Sequence, residues 1–497
     1  MTHGISKRYF LAGGISALAA GVAFADAPGK SLRPRARGGD FHKRAVRGPK
    51  DLIRDAKLNG HVAYAVADAK TGARLEANTP TAQVAPASVT KAVTALYALD
   101  RLGAGHRFQT RLMATGSVSN GVVSGDLVLV GGGDPTLDTN DLADMARQLK
   151  AAGIREVRGA FKVYEGALPF VKTIDTDQPD HVGYSPAVSG IALNFNRVHF
   201  EWRRASGKYS VTMDARSDRY RPDVTMARMR ITERSIPVYS YADQKGVDTW
   251  SVARSALGGG GSRWLPVRKP GAYAADVFRT MARAQGIRLK PAQGMKRAPQ
   301  GTVLVTHQSE VLREILRDML RFSNNLIAEM VGMAATARGG RNPSGLRASA
   351  SAMNAWAKSK LGVSGMKLQD HSGLGAGNRM TADAMVDTLV KVYASNTLRP
   401  LLKPVAMRDA KGKVLKNHPI AVNAKTGTLN FVSGLGGYME AKDGSVLAFA
   451  IFSGDEAVRK RIKKANREAP QGARGYNKRA KRLQQQLIER WGTLYGS

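Results

Sequence analysis

The apolar pattern of this chain passes through three textures, and their order limits the architectures open to it. Residues 61–68 (His-Val-Ala-Tyr-Ala-Val-Ala-Asp) read as a strand, Lys70-Thr71-Gly72 as its turn and Ala73–Ala77 as a second strand. Pro86 opens a helix in which Val89, Ala92, Val93, Leu96 and Leu99 recur at helical spacing until Gly103 stops it. Strand and helix then alternate: 125–130, 141–152 and 157–164 read as strand, helix and strand, a small βαβ-like unit. Residues 190–256 turn β-rich (190–202, 209–215, 224–232), and the glycine run 258–261 reads as a flexible close to that block. Helices follow at 272–286, 309–321, 324–337, 347–361 and 382–394. Strands Gly436–Glu440 and Val446–Ser453 flank a Lys442-Asp443-Gly444 turn, and a basic amphipathic helix over 476–491 ends the chain. No fixed-period repeat is present, so 497 residues in this order point to a multidomain α/β protein.

The chain has no cysteine, which excludes thiol nucleophiles, Fe–S clusters and Cys-ligated zinc. Its 76 Lys+Arg against 39 Asp+Glu leave a formal charge of +37, a surface suited to a polyanionic neighbour. Lys7 and Arg8 precede an apolar run, Tyr9–Ala25, that ends Ala23-Phe24-Ala25 before Asp26. A positive n-region, an apolar h-region and a small-x-small end predict a secretory signal peptide over 1–25, with an uncleaved anchor as the alternative. Residues 26–50 are rich in Lys and Arg among Gly and Pro, and read as a flexible basic linker. No later stretch reaches the roughly 18 apolar residues of a membrane span. The expected location is therefore outside the cytoplasm, in the periplasm or cell envelope, with a peripheral membrane position as the alternative.

Three short motifs carry candidate chemistry. Ser88-Val89-Thr90-Lys91 falls at the start of the first helix, where residues three apart share a face and the amine can reach the hydroxyl. Such a lysine can serve as the base for a serine nucleophile if its surroundings lower its pKa. Taken alone, the motif equally describes a helix N-terminus with a solvated lysine, and a second such spacing, Ser364…Lys367, lies past the stop at Gly362. Ser323-Asn324-Asn325 joins two helices, where it also fits a helix N-cap. Lys425-Thr426-Gly427-Thr428 follows the β-like run Ile420–Ala424, and Gly427 would allow close approach to that strand; Lys70-Thr71-Gly72 is a decoy in a hairpin turn.

In this order and context the three motifs form the penicillin-binding-protein and β-lactamase pattern. The chain resembles the D-alanyl-D-alanine carboxypeptidase/endopeptidase family, the class C low-molecular-mass penicillin-binding proteins. The long interval between the first two motifs is similar to that family's, as are Gly131-Gly132-Gly133-Asp134-Pro135-Thr136, the stretch 184–196 and Asp370-His371-Ser372-Gly373-Leu374. The resemblance runs from about 60 to 455. It implies that Ser88 attacks the carbonyl between two D-alanines with Lys91 as its base. Ser323 would relay protons with Lys91 and Lys425, and Asn325 would contact the substrate amide. Lys425, Thr426 and Thr428, on the strand opened by Gly427, would hold the terminal carboxylate. The backbone N–H groups of Ser88 and Thr428 would form the oxyanion hole. His371, where the family has glycine, reads as a loop histidine.

The implied fold is a penicillin-binding-protein/β-lactamase-like catalytic domain, an antiparallel sheet flanked by helices, built from 45–108 plus 300–497. An inserted βαβ-like domain (109–182 plus 266–299) would itself enclose a β-rich domain (183–265). The implied reaction is serine-type hydrolysis of D-Ala-D-Ala bonds in peptidoglycan stem peptides, as carboxypeptidase and/or D,D-endopeptidase. It needs no metal or cofactor, and β-lactams would be covalent inhibitors. A serine β-lactamase or esterase, or an inactive envelope-binding protein, are the rivals. Class A β-lactamases place a deacylating glutamate after Ser-x-Asn. None occurs between Glu329 and Glu440, so slow deacylation of penicillin is expected. The glycine run 131–133 lacks the third fingerprint glycine and is interrupted by Pro135, which argues for a structural turn over a dinucleotide loop. The histidines show no zinc-hydrolase spacing. The basic segments 459–464 and 476–491 read as solvated faces or as contacts to an anionic envelope polymer or membrane surface. Nucleic acid is not expected, since few aromatics interleave with the basic residues.

Overall fold

In the computed structural model the described residues are Lys43, 45–409 and 411–496. The expected signal peptide and most of the basic linker lie outside them. Residues 46–497 form one unit. The linker's expected end is corrected at Pro49, which sits at the start of helix α1 (Pro49–Asp55) with its fixed φ already suited to a first turn.

β1 (His61–Asp68) is buried along most of its length because both faces of its sheet are covered. Ala63, Ala65 and Ala67 enter one core, while Val62, Tyr64 and Val66 enter the other. β2 (Arg74–Asn78) pairs back on β1, and a 3₁₀ turn, Ala87–Val89, then runs straight into α2 (Thr90–Leu102). After residues 103–311 the chain returns with α3 (Leu312–Phe322), α4 (Asn325–Arg338), α5 (Leu346–Leu361) and α6 (Ala382–Tyr393). It continues with β3 (Lys403–Pro404), β4 (Ala421–Leu429), β5 (Val432–Glu440), β6 (Val446–Gly454), α7 (Glu456–Arg461) and α8 (Ala473–Tyr495).

Sequence ends far apart meet in one antiparallel sheet of order β3-β4-β5-β6-β1-β2, with His61 opposite Gly454 where β1 joins β6. α6 covers one face beside the helical layer α2–α5, and α8 covers the other through Leu483, Leu487, Ile488 and Trp491. Each face thus buries its own apolar set, the two-sided burial that favours continuous rather than alternating apolar runs.

The intervening residues build a second body of structure. Strands Leu127–Gly131 and Phe161–Tyr164 run parallel, joined through helix Thr139–Ala151, in a five-stranded sheet with Gln109–Ala114, Gln293–Met295 and Thr302–Gln308. Helix Pro270–Ala284 packs beside Thr139–Ala151, whose start carries a reciprocal capping box between Asp138 and Asp141. Strands within 197–266 form two further three-stranded sheets that share one apolar core with this layer. Of the glycine run 258–261 expected to be flexible, Gly258 and Gly259 form a turn and Gly260 and Gly261 begin strand Gly260–Pro266, paired with Arg197–Ala205. Residues without side chains give no apolar signal, and backbone pairing alone defines that edge.

Candidate active site

The nucleophile candidate sits where sheet and helices meet. Ser88 lies inside the 3₁₀ turn before α2, after Ala87, whose φ of 47° bends the chain. Lys91, one turn on, is fully buried, and its Nζ donates to Ser88 Oγ at 2.9 Å, Asn325 Oδ1 at 2.7 Å and the Ser372 carbonyl at 2.8 Å. As an ammonium the group finds an acceptor for each of its three donors; as the neutral amine it keeps two N–H donors for Asn325 and the Ser372 carbonyl and turns its lone pair to the Ser88 hydroxyl. Burial pulls its pKa down to about 7, against the opposing charges of Glu329 and Asp370.

The connection between α3 and α4 divides its labour among three residues. Ser323 closes α3 in the left-handed conformation (φ 58°), and the side chain of Asn324 caps α4 by accepting from the Ile327 N–H. The capping duty falls on the middle residue, which leaves Ser323 and Asn325 facing the site. Asn325 bridges regions: its Nδ2 donates to the Tyr184 carbonyl at 2.9 Å while its Oδ1 accepts from Lys91.

β4 supplies the third wall. Lys425 is 1% exposed and donates to Ser323 Oγ at 3.0 Å and to the Thr426 carbonyl at 2.7 Å. Burial, with the charges of Lys91 and Lys403 adding, holds its pKa well below that of a free lysine. An anionic ligand beside it would restore the charge. Gly427 explains how strand and serine come together: a Cβ there would lie 2.7 Å from the Pro86 carbonyl oxygen and 3.2 Å from the Ser88 nitrogen.

Ser88, Ser323, Asn325 and Thr428 line one cavity of about 530 Å³. Thr426 lines a second cavity, shared with Gly427 and Thr428, on the α8 side of the strand. Ser88, Ser323, Asn325 and Thr428 are therefore brought to one cavity with Lys91 and Lys425 buried beside it, while Thr426, two residues before Thr428 and on the same face of β4, lines the cavity on the α8 side.

Sequence reasoning missed the support behind Lys91. Glu329, fully buried on α4, accepts the backbone N–H groups of His371 and Ser372 at 2.9 Å each. Burial drives its pKa up to about 8. Asp370 accepts from the Gly373 and Gly375 N–H groups and from Asn378 Nδ2, shaping the loop that offers the Ser372 carbonyl to Lys91. A lone acid inside the apolar run Leu326–Val331 was the available signal. His371 is a core residue: its ring bonds Ser349 Oγ through Nε2 at 2.7 Å, and burial lowers its pKa to about 3. Also unforeseen are Asp177, Arg459, Arg467 and Glu468, which line the same cavity. The 131–136 segment is a turn in which Asp134 accepts from the Thr136 N–H and hydroxyl.

Residues 50–470 match the model of the D-Ala-D-Ala carboxypeptidase 3 (S13) family. The chain belongs to that family. Members similar to it include the D-alanyl-D-alanine carboxypeptidase of Actinomadura sp. (strain R39), 30% identical over 469 residues, which cover 85% of each chain. The D-alanyl-D-alanine carboxypeptidase DacB of Haemophilus influenzae is 24% identical over 74% of this chain and 79% of that one. The crystal structure of penicillin binding protein 4 (dacB) from Haemophilus influenzae superposes with a TM-score of 0.70 at 19% identity, over 82% of this chain and 93% of that chain. The likeness fixes the architecture as penicillin-binding-protein-like α/β. As an S13 member the chain is a serine peptidase of the D-alanyl-D-alanine class. Among the described residues no helix is long and apolar enough to cross a membrane.

Proposed function

We propose that Ser88 is the nucleophile of a peptidoglycan D,D-peptidase and that Lys91, neutral in its buried setting, is its base. The observation that carries this reading is the 2.9 Å contact between Lys91 Nζ and Ser88 Oγ within a set that also joins Asn325, Ser323 and Lys425. Lys91 takes the Ser88 proton as Oγ attacks the penultimate D-Ala carbonyl. The oxyanion forms between the Ser88 and Thr428 N–H groups; one such donor typically contributes about 3–4 kcal/mol. Asn325 orients the substrate amide. Ser323 and Lys425 pass a proton to the departing D-Ala amine, and Lys425 and Thr428 receive its carboxylate. Water then releases the acyl group.

The same acylation serves carboxypeptidase and endopeptidase action, and β-lactams trap it. Glu329 is committed to two backbone N–H groups and does not line the Ser88 cavity, which supports slow deacylation of penicillin. A catalytic part (45–108, 300–497) with inserted parts at 109–182 plus 266–299 and 183–265 is supported by the six-stranded sheet of β1–β6, but strand Thr302–Gln308 pairs with Gln109–Ala114 and moves the catalytic part's second start past 308. Export by the 1–25 segment to the periplasm or envelope matches the substrate's location. The test is release of D-Ala, and splitting of crosslinked dimers, from purified muropeptides followed by mass spectrometry. Turnover in the wild type with loss in Ser88→Ala is expected; hydrolysis of nitrocefin or a simple ester with no muropeptide product would overturn the reading.

A further inference from the structure

A second cavity of about 1190 Å³ opens on the far side of β4, and Thr428 and Asn477 line both it and the Ser88 cavity, so the two adjoin. One wall is α8. Its Tyr476, Ala480, Leu483, Leu487 and Trp491 are buried, and Arg474, Lys478, Lys481 and Arg482 project from the exposed side into the cavity. Lys403 and Arg408 stand on the opposite wall. Among the described residues none of these six makes an ion pair, and Asp409, an acid lining the cavity, accepts the N–H groups of Lys411 and Lys413 in its own turn. Arg474 with Lys478, and Lys478 with Arg482, are like charges four apart, an arrangement that costs a helix stability when nothing neutralises it.

We propose that this groove binds the carboxylate-bearing stem peptides that neighbour the cleaved one, so that the enzyme engages peptidoglycan as a polymer. The inference rests on the reading of Ser88 as the peptidoglycan-cutting nucleophile. A small D-Ala-D-Ala peptide fills the Ser88 cavity alone, whereas a polymer carries further anions along the strand past Thr428. The shape argues against two other polyanions. A membrane-surface helix keeps an apolar face for lipid, and that face of α8 is already in the core. Among the described residues no aromatic side chain lines the groove for base stacking.

The test compares wild type with the Arg474→Glu/Lys478→Glu/Arg482→Glu variant, and with the matching Gln variant to guard against misfolding. Three probes are used: penicillin acylation, D-Ala release from a soluble D-Ala-D-Ala peptide, and D-Ala release from purified peptidoglycan stripped of phosphate polymers. The expected result is at least a tenfold loss on stripped peptidoglycan for the Glu variant, a smaller loss for the Gln variant, and acylation and soluble-peptide turnover within twofold of wild type. Raising salt to about 1 M should bring wild type down to the variant on the polymer only. Equal polymer turnover in all three proteins overturns the inference. So does a loss that appears equally on the soluble D-Ala-D-Ala peptide. If wild type acylates with penicillin yet releases no D-Ala from the soluble peptide, the functional reading fails instead.

Discussion

At the residue scale, the chemistry depends on an amine kept from its usual charge. Lys91 is the acylating base only when neutral, and its pKa near 7 arises from burial. Acylation by penicillin should therefore rise with pH through about 7 and fall off below it; a rate flat between pH 5 and 9 would contradict this. Replacement by alanine should slow acylation by about 10²–10⁴, the usual worth of a positioned base. The lysine's orientation rests in turn on His371 and Gly332. A Cβ at 332 would fall 2.2 Å from the His371 ring, whose loop carries the Ser372 carbonyl. Gly332→Ala should lower Tm and acylation together, and Gly332→Ala with His371→Gly should recover both, a coupling typical of touching core residues. No recovery in the double variant would place the fault elsewhere.

At the scale of elements, one strand must lie against one turn. Gly427→Ala forces β4 off the Pro86–Ser88 backbone, and a displacement of about 1 Å in a reacting group can cost about 10²-fold in rate. Acylation should fall by about that factor while Tm changes little; an unchanged rate would mean the strand does not position the oxyanion donors. Much of this was legible beforehand. The helical spacing from Val89 to Leu99 and the strand pair 436–440 and 446–453 gave elements within a few residues of those observed. Ser88, Lys91, Ser323, Asn325 and Lys425 were identifiable because their chemistry demands particular residue types at particular spacings. Strand 260–266 was not, since Gly258–Gly261 carries no side-chain pattern. Nor were Glu329 and Asp370, whose work is on backbone N–H groups of a loop distant in sequence. That Thr426 and Thr428 share one face of β4 follows from the strand extending through the motif to Leu429, beyond the apolar run that marked it.

Across the whole molecule, the segment after β6 ties the catalytic sheet to the inserted region above the Ser88 cavity. Glu468 accepts from His181 Nε2 at 2.7 Å and pairs with Arg263, and Lys464 meets Asp180 at 3.0 Å. The His181 bond, then Arg263, lowers the Glu468 pKa to about 2. A carboxylate held below its usual 4.5 contributes its tie above that value and loses it only as pH falls through about 2. Hydrogen exchange across 456–468 should stay slow from neutral pH to pH 5 in the wild type and quicken several-fold in Glu468→Ala at neutral pH; identical exchange in both would show that the tie does not hold the segment.

The most direct measurement is the site of penicillin attachment. Incubation with benzylpenicillin, digestion and mass spectrometry should find a single adduct on the peptide containing Ser88, slow to disappear, and none in Ser88→Ala. An adduct on another residue, or equal labelling of the two proteins, would contradict the account at its centre.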